Sequence, residues 1–174
     1  ELRPTTSLEM LRRRAEALRT AREFFRARNV LEVETPALVN APVSDVNLAS
    51  ARVTLAGLET PLWLHTSPEY AMKRLLASGS GDIYQICRVF RAAERGRQHN
   101  PEFTMVEWYR VGFALEDLMR EVAELVRDLL GRGAAELPAE FVSYREAVRR
   151  HAGIDPLTDN LEVLRAAARE LGLS

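Results

Sequence analysis

The chain has a single cysteine, Cys87, which excludes an internal disulfide framework and any cysteine-rich zinc site. Its 24 basic and 25 acidic residues nearly cancel, for a net charge of −1. No basic field of the kind that marks a nucleic-acid surface follows from that balance, and only a local patch is left open. No apolar run approaches the ~20 residues of a membrane-spanning helix. The first residues lack the charged-then-apolar pattern of a secretory leader, and neither a repeat nor a low-complexity tract interrupts the sequence. These absences lead us to expect a soluble, cytoplasmic protein with no membrane partner. What is present is 174 residues, 47% of them hydrophobic, enough for one globular domain with a sizeable core and cramped for two.

The rest of the chain is organised around residues 83–110, IYQICRVFRAAERGRQHNPEFTMVEWYR. Residues 83–91 and 103–110 are rich in β-branched and aromatic side chains and read as two strands. A plain hairpin needs about two to five connecting residues with glycine at the bend, so the long charged connection over 92–102 reads as a binding loop. Alternation places Phe103, Met105, Glu107 and Tyr109 on one face of the second strand, and Thr104, Val106, Trp108 and Arg110 on the other. Arg91 shares a face with Val89, Cys87 and Gln85, where an antiparallel partner brings it near Phe103. One face therefore gathers a guanidinium, an aromatic ring, a carboxylate and a phenol. The carboxylate, set inside FTMVEWY, is costly to bury unless a cation meets it. Within the chain Arg88 or Arg110 could supply that cation; the alternative is the ammonium of a bound diamino acid.

The flanking segments read as scaffold. Thr6-Ser7-Leu8-Glu9 suggests a capping box in which Thr6 and Glu9 satisfy orphan amides, and Leu8, Leu11, Ala15, Leu18 and Phe25 follow at helical spacing to about Asn29. Pro42, Gly57 and Pro61 punctuate residues 40–62, which read as loops with a short hairpin. Residues 62–65 form a strand that runs into Thr66-Ser67-Pro68-Glu69, where Ser67 suits an N-cap, Pro68 the first helical position and Glu69 the helix dipole. Standing alone this is an ordinary helix start; the functional alternative is that Ser67 and Glu69 line a pocket at the mouth of the strand. That helix ends at Gly79 and Gly81. A helix over 115–130 aligns Leu118, Val122, Leu125, Val126 and Leu129 and closes at Gly131. A second capping box, Ser143 to Glu146, opens a helix to about Ala152, and a last helix covers 161–171. Nothing in 112–174 points to chemistry, and His151 reads as a cation at a helix C-terminus.

The strings FRAAERGRQHNPEFT and MVEWYR, over 90–110, resemble motif 2 of the class II aminoacyl-tRNA synthetases of the lysine type. The tail EWYR resembles more closely the short paralogues in that family that attach β-lysine to a lysine of translation elongation factor P. Upstream, HTSPEYAMKRLL at 65–76 continues the match, and VLEVETPAL at 30–38 resembles motif 1 with its closing proline at Pro36. The resemblance covers most of the chain in family order. It implies an α+β fold, a class II synthetase-like antiparallel sheet with flanking helices, in which residues 1–174 are the N-terminal portion of one catalytic domain. It also implies ATP and Mg2+ as cofactors and a homodimer built on the first helix and the strand ending at Pro36.

Activating a carboxylate with ATP brings two anions together and calls for fixed positive charge. Arginine suits the task because its planar fork can hold phosphate and carboxylate oxygens at once. The resemblance makes Arg91 this catalytic cation. Phe103 would stack on adenine, a contact worth roughly 1–3 kcal/mol by analogy with base–aromatic stacking, and Ala92, Ala93, His99 and Asn100 would complete the ATP side. Ser67, Pro68, Glu69, Glu107 and Tyr109 would form the amino-acid pocket. Together Glu69 and Glu107 would select a substrate with two amino groups, because the wrong ligand leaves a buried carboxylate unpaired, and Tyr109 would hydrogen-bond beside them. No metal-ligand set is read in the chain.

The sequence departs from the family pattern twice. Motif 2 is usually written F-R-x-E, but here the order is Phe90-Arg91-Ala92-Ala93-Glu94, so Ala93 holds the place of an adenine-contacting glutamate. Either Glu94 substitutes on a shifted loop or the backbone reads adenine. Secondly, no glycine-rich motif 3 with its phosphate-binding arginine occurs before Ser174. The implied function is ATP-dependent activation of lysine or (R)-β-lysine as an aminoacyl-adenylate and its transfer to a lysine side chain of elongation factor P, the isolated fragment being inactive. tRNA is the less favoured acceptor, since few residues precede the first helix where a tRNA-reading domain would sit. The alternatives are a lysyl-tRNA synthetase catalytic fragment and a non-catalytic dimerisation or amino-acid-sensing module.

Overall fold

A computed structural model describes residues 6–93, 96–97, 99–131 and 138–172; Glu94, the candidate substitute in motif 2, lies outside them. The first helix, α1 (Leu8–Ala27), is capped by Ser7 rather than Thr6: the Ser7 hydroxyl accepts a hydrogen bond from the Met10 amide at 3.1 Å. Glu9 does not turn back to the cap but pairs with Arg13 at 2.7 Å, so the expected capping box is replaced by a serine cap and a helix-surface ion pair. Asn29, at φ 55° in the left-handed region, ends the turn after the helix, a conformation asparagine tolerates.

Strand β1 (Leu31–Glu32) runs parallel to β5 (Ile83–Phe90), which pairs antiparallel with β6 (Glu102–Tyr109). The long ladder sets Gln85 opposite Glu107, Cys87 opposite Met105 and Val89 opposite Phe103. Alternation then decides the two faces. Tyr84, Ile86, Val106 and Trp108 join Phe24, Phe25, Ala21 and Val30 in the core. Phe25 is fully buried with its ring stacked on Tyr84 at 4.3 Å and 5.4 Å from Trp108.

Helix α3 (Leu115–Leu130) also covers this face, but less of its apolar stripe is used than the sequence pattern suggests. Leu125 is buried, whereas Val122, Val126 and Leu129 are exposed by 40%, 46% and 39%. The buried place beside Leu125 is taken by Glu121, because β6 presents polar ends there. Trp108 Nε1 donates to Glu121 at 3.0 Å, and the Arg110 guanidinium lies 3.3 Å from the same carboxylate.

A smaller antiparallel sheet, ordered β2-β4-β3, is built from β2 (Leu38–Val39), β3 (Arg52–Val53) and β4 (Leu62–Leu64). Within 40–62 only β3 forms in place of the expected short hairpin, and it pairs with β4, the strand expected at 62–65. Helix α2 (Glu69–Ala77) begins one residue later than expected, with Pro68 in the cap position at φ −78° and ψ 2°. The Ser67 hydroxyl accepts only a long 3.4 Å bond from the Glu69 amide.

The chain divides into two compact units, Glu1–Ala135 and Glu136–Ser174; the first holds both sheets and α1 to α3. The second contains α4 (Tyr144–Ala152) and α5 (Leu161–Glu170), capped by Ser143 and Asn160. Only half of the second capping box forms, since Glu146 pairs with Arg150 at 3.0 Å. Arg145 and Arg149 both hold Asp155, and Arg145 keeps the Asp155 carboxyl well below the usual carboxylate range.

Candidate functional site

The sheet face turned away from α1 carries the predicted cluster. Val89 and Phe103 are direct partners across the ladder, so Arg91, one step beyond the end of β5, reaches over the Phe103 ring with its guanidinium carbon 5.2 Å from the centroid. Two backbone bonds fix that step: the Arg91 amide donates to the Pro101 carbonyl at 2.8 Å and the Ala92 amide to the Ala49 carbonyl at 2.9 Å. Ala92, Ala93, His99 and Asn100 are exposed on the connecting loop. His99 and Gly96 exchange backbone hydrogen bonds at 3.2 Å, which tightens the loop into a turn there.

The small sheet brings the second predicted segment to the same place. Phe90 donates its amide to the His65 carbonyl at 3.0 Å, and the His65 ring Nε2 lies 2.7 Å from the Arg88 carbonyl. His65 is buried at 6% exposure, so the strand-to-helix turn that follows it is held against the end of β5. Arg91 Nε donates to the Thr66 carbonyl at 3.4 Å. Pro68 is fully buried, while Ser67 and Glu69 are half-buried. A cavity of about 350 Å³ lies between this turn and residues 36–43, with Glu69, Tyr70 and Arg74 on its wall. Arg91, Phe103, Glu107 and Tyr109 stand on the sheet face and do not line it.

Glu107 and Tyr109, two residues apart on β6, meet through a 2.7 Å hydrogen bond from the phenol to the carboxylate. Burial pushes the Glu107 carboxyl up from its ordinary value; the phenol bond opposes this, and the nearby Glu69 charge reinforces it. The charges of Lys73 and His65 act on Glu107 in the opposite sense. Burial, then the Glu107 carboxylate, push Tyr109 up as well. Cys87, on the same face, rises to about 11 through burial and the Glu107 charge. The face thus holds a half-buried carboxylate within the field of a second carboxylate.

Neither arginine considered as a partner for Glu107 reaches it. Arg88 pairs with Glu102 at 3.5 Å, and Arg110 with Asp82 at 3.2 Å and with Glu121. The pleat explains this, since even-numbered residues of both strands point to the opposite face. The cation that sequence reasoning missed is Lys73, whose Nζ lies 2.5 Å from Glu69 Oε1. Two signals marked it: the Glu-to-Lys spacing of four on α2, and the fact that Lys73 is the one lysine among 24 basic residues. His65 and Gln85 were also missed as positioning residues. Gln85, buried at 2% exposure opposite Glu107, accepts a 3.0 Å bond from Thr35 Oγ1.

Comparison with known proteins gives the chain a family. The family model described as tRNA synthetases class II (D, K and N) matches residues 1–165. Two curated relatives carry the name elongation factor P–(R)-β-lysine ligase. The one from Vibrio atlanticus is 47% identical over 175 residues, covering 98% of this chain and 53% of the relative. That from Pseudoalteromonas translucida is 49% identical over 177 residues, with the same shares covered. The chain therefore spans about half the length of the curated relatives it matches.

Proposed function

Because the chain belongs to the class II tRNA synthetase family (D, K and N), we propose that it forms part of an ATP-dependent ligase. That ligase activates lysine or (R)-β-lysine as an aminoacyl-adenylate and transfers it to a lysine side chain of elongation factor P. The observation that carries this reading is the placing of Arg91 over Phe103 on the same sheet face as Glu107, whose carboxylate lies in the field of Glu69. Residues 1–174 then make up the N-terminal portion of the catalytic domain.

In this reading ATP lies against Phe103, with Ala92, Ala93, His99 and Asn100 around the nucleotide. The Arg91 guanidinium bridges the α-phosphate and the substrate carboxylate, drawing the two anions into contact. Substrate ammonium is received by Glu69 and Glu107, with Ser67 and Pro68 shaping the approach and Tyr109 orienting the Glu107 carboxylate. Partial burial makes a neutral tail costly, because it leaves charge unpaired. Among the described residues no three His, Cys, Asp or Glu side chains gather as a metal cage. Magnesium would accordingly arrive on the ATP phosphates, as that ion commonly does.

Two features support the remaining partners. The N-terminal half of α1 leaves Leu8 exposed by 72% and Leu11 by 46%, and β1 adds Leu31 at 57%; this apolar strip, with Ala15 and Leu18, suits an isologous homodimer contact. The elongation factor as acceptor is supported by the relatives' name, and a cytoplasmic setting follows from that acceptor. Among the described residues no helix is long and apolar enough to cross a membrane.

The test is amino-acid-dependent ATP–pyrophosphate exchange by the complete protein. Exchange is expected with lysine or β-lysine and is expected to be lost in Arg91→Ala. Exchange that is absent in the parent, or unchanged in the variant, would refute the assignment.

A further inference from the structure

Lys73 sits where the proposed substrate's amino group is expected. Its Nζ is 2.5 Å from Glu69 Oε1, and its charge reaches Glu107 as well. Chemically it is a primary ammonium at the end of a methylene chain, the same group a lysine-type substrate presents. The rest of the chain avoids that group: the other 23 basic residues are arginine.

The same i,i+4 geometry recurs elsewhere in the chain with a different cation. Glu9–Arg13, Arg19–Glu23 and Glu146–Arg150 are helix-surface pairs of this spacing, and all use arginine. The pair whose carboxylate, Glu69, stands on the wall of the cavity uses lysine. Arginine's planar fork grips a carboxylate through two bonds, whereas lysine is a compact, strongly hydrated point charge on a flexible stem. Lys73 is 58% exposed and Glu69 45%, so the lysine can swing into water and recover its hydration. A pair of this kind is held weakly enough to be replaced.

We propose that Lys73 is a built-in occupant of the ammonium site, holding Glu69 in the unliganded protein and giving way to the amino group of the substrate. This rests on the ligase reading and deepens it. While Lys73 is in place, two neighbouring carboxylates share one cation instead of repelling each other unrelieved. A substrate ammonium takes over that work when it binds, so the lysine sets a threshold on amino-acid affinity. A ligand without a cation cannot displace it without leaving Glu69 unpaired.

The experiment compares the complete parent protein with Lys73→Met and Lys73→Arg in pyrophosphate exchange, using β-lysine and lysine as the varied substrates. The amino-acid KM is expected to fall about two- to fivefold in Lys73→Met, the size of an exposed ion pair. It should rise in Lys73→Arg, where the fork holds Glu69 harder, while the KM for ATP stays within error in both. Calorimetric titration of each protein with β-lysine should give dissociation constants in the same order, independently of turnover. Equal amino-acid KM values in all three proteins, or a rise in Lys73→Met, would overturn the inference and leave the ligase reading intact. If the parent shows no amino-acid-dependent exchange at all, both fall.

Discussion

Glu107 bears the chief electrostatic strain of the site, since it is half-buried, beside a second carboxylate, and satisfied within the chain by a phenol. Its carboxyl is raised above its ordinary value, chiefly by burial. Between that ordinary value and the raised one, the native state binds more protons than the unfolded chain. Stability attributable to this residue is therefore full at acid pH and lost as pH rises through the raised value. Replacing Glu107 with Gln should accordingly raise the melting temperature at neutral pH while raising the amino-acid KM by roughly tenfold or more. In the parent, amino-acid affinity should strengthen as pH rises through the same window, because only the ionised form pairs with an ammonium. Thermal scans and exchange assays across acid to neutral pH read both effects; a neutral-pH melting temperature lowered by Glu107→Gln would contradict the assignment. On the nucleotide side, Phe103→Ala should raise the KM for ATP by about tenfold, from the loss of roughly 1–3 kcal/mol of stacking, with the amino-acid KM changed far less. These residues were legible because strand alternation fixes which side chains share a face. Lys73 was not read because a surface Glu–Lys pair on a helix is ordinary until its neighbours are known.

At the scale of elements, the β5–β6 ladder has one face in the aromatic core and carries the candidate site residues on the other. Phe25 anchors the first, fully buried between Tyr84 and Trp108. Phe25→Ala should cost about 3–5 kcal/mol, read as a lowered denaturant midpoint with unchanged slope; a cost below ~1 kcal/mol would show that α1 does not pack on the sheet. Strands β4, β5 and β6 and helices α3 and α5 were readable within a residue or so. Helix starts were less so, since Ser7 and Thr6 are chemically alike as caps, and Pro68 can serve the cap or the first turn. The wide apolar stripe of α3 was misleading about burial: periodicity marks an amphipathic face but not how much of it a partner covers, and buried Glu121 could not be foreseen without the positions of Trp108 and Arg110.

For the whole molecule, the family resemblance over 30–110 made the fold class readable, because motif order and spacing carry topology. Pairing between β1 and β5 and the separate small sheet were beyond it, since strands of two or three residues carry too little pattern to show their partners, even where, as at 62–65, the strand itself was read. The proposed homodimer gives one prediction at this scale. Leu8→Glu with Leu11→Glu should shift the complete protein from dimer to monomer in sedimentation, without loss of helical content. A parent that sediments as a monomer at micromolar concentration would remove the dimer from the account. The ligase reading itself is tested most directly at the acceptor. The complete protein is incubated with ATP and radiolabelled β-lysine, in the presence of either elongation factor P or total tRNA. The account predicts label on the factor, lost when its acceptor lysine is replaced by arginine, and none on tRNA; label on tRNA with none on the factor would contradict it.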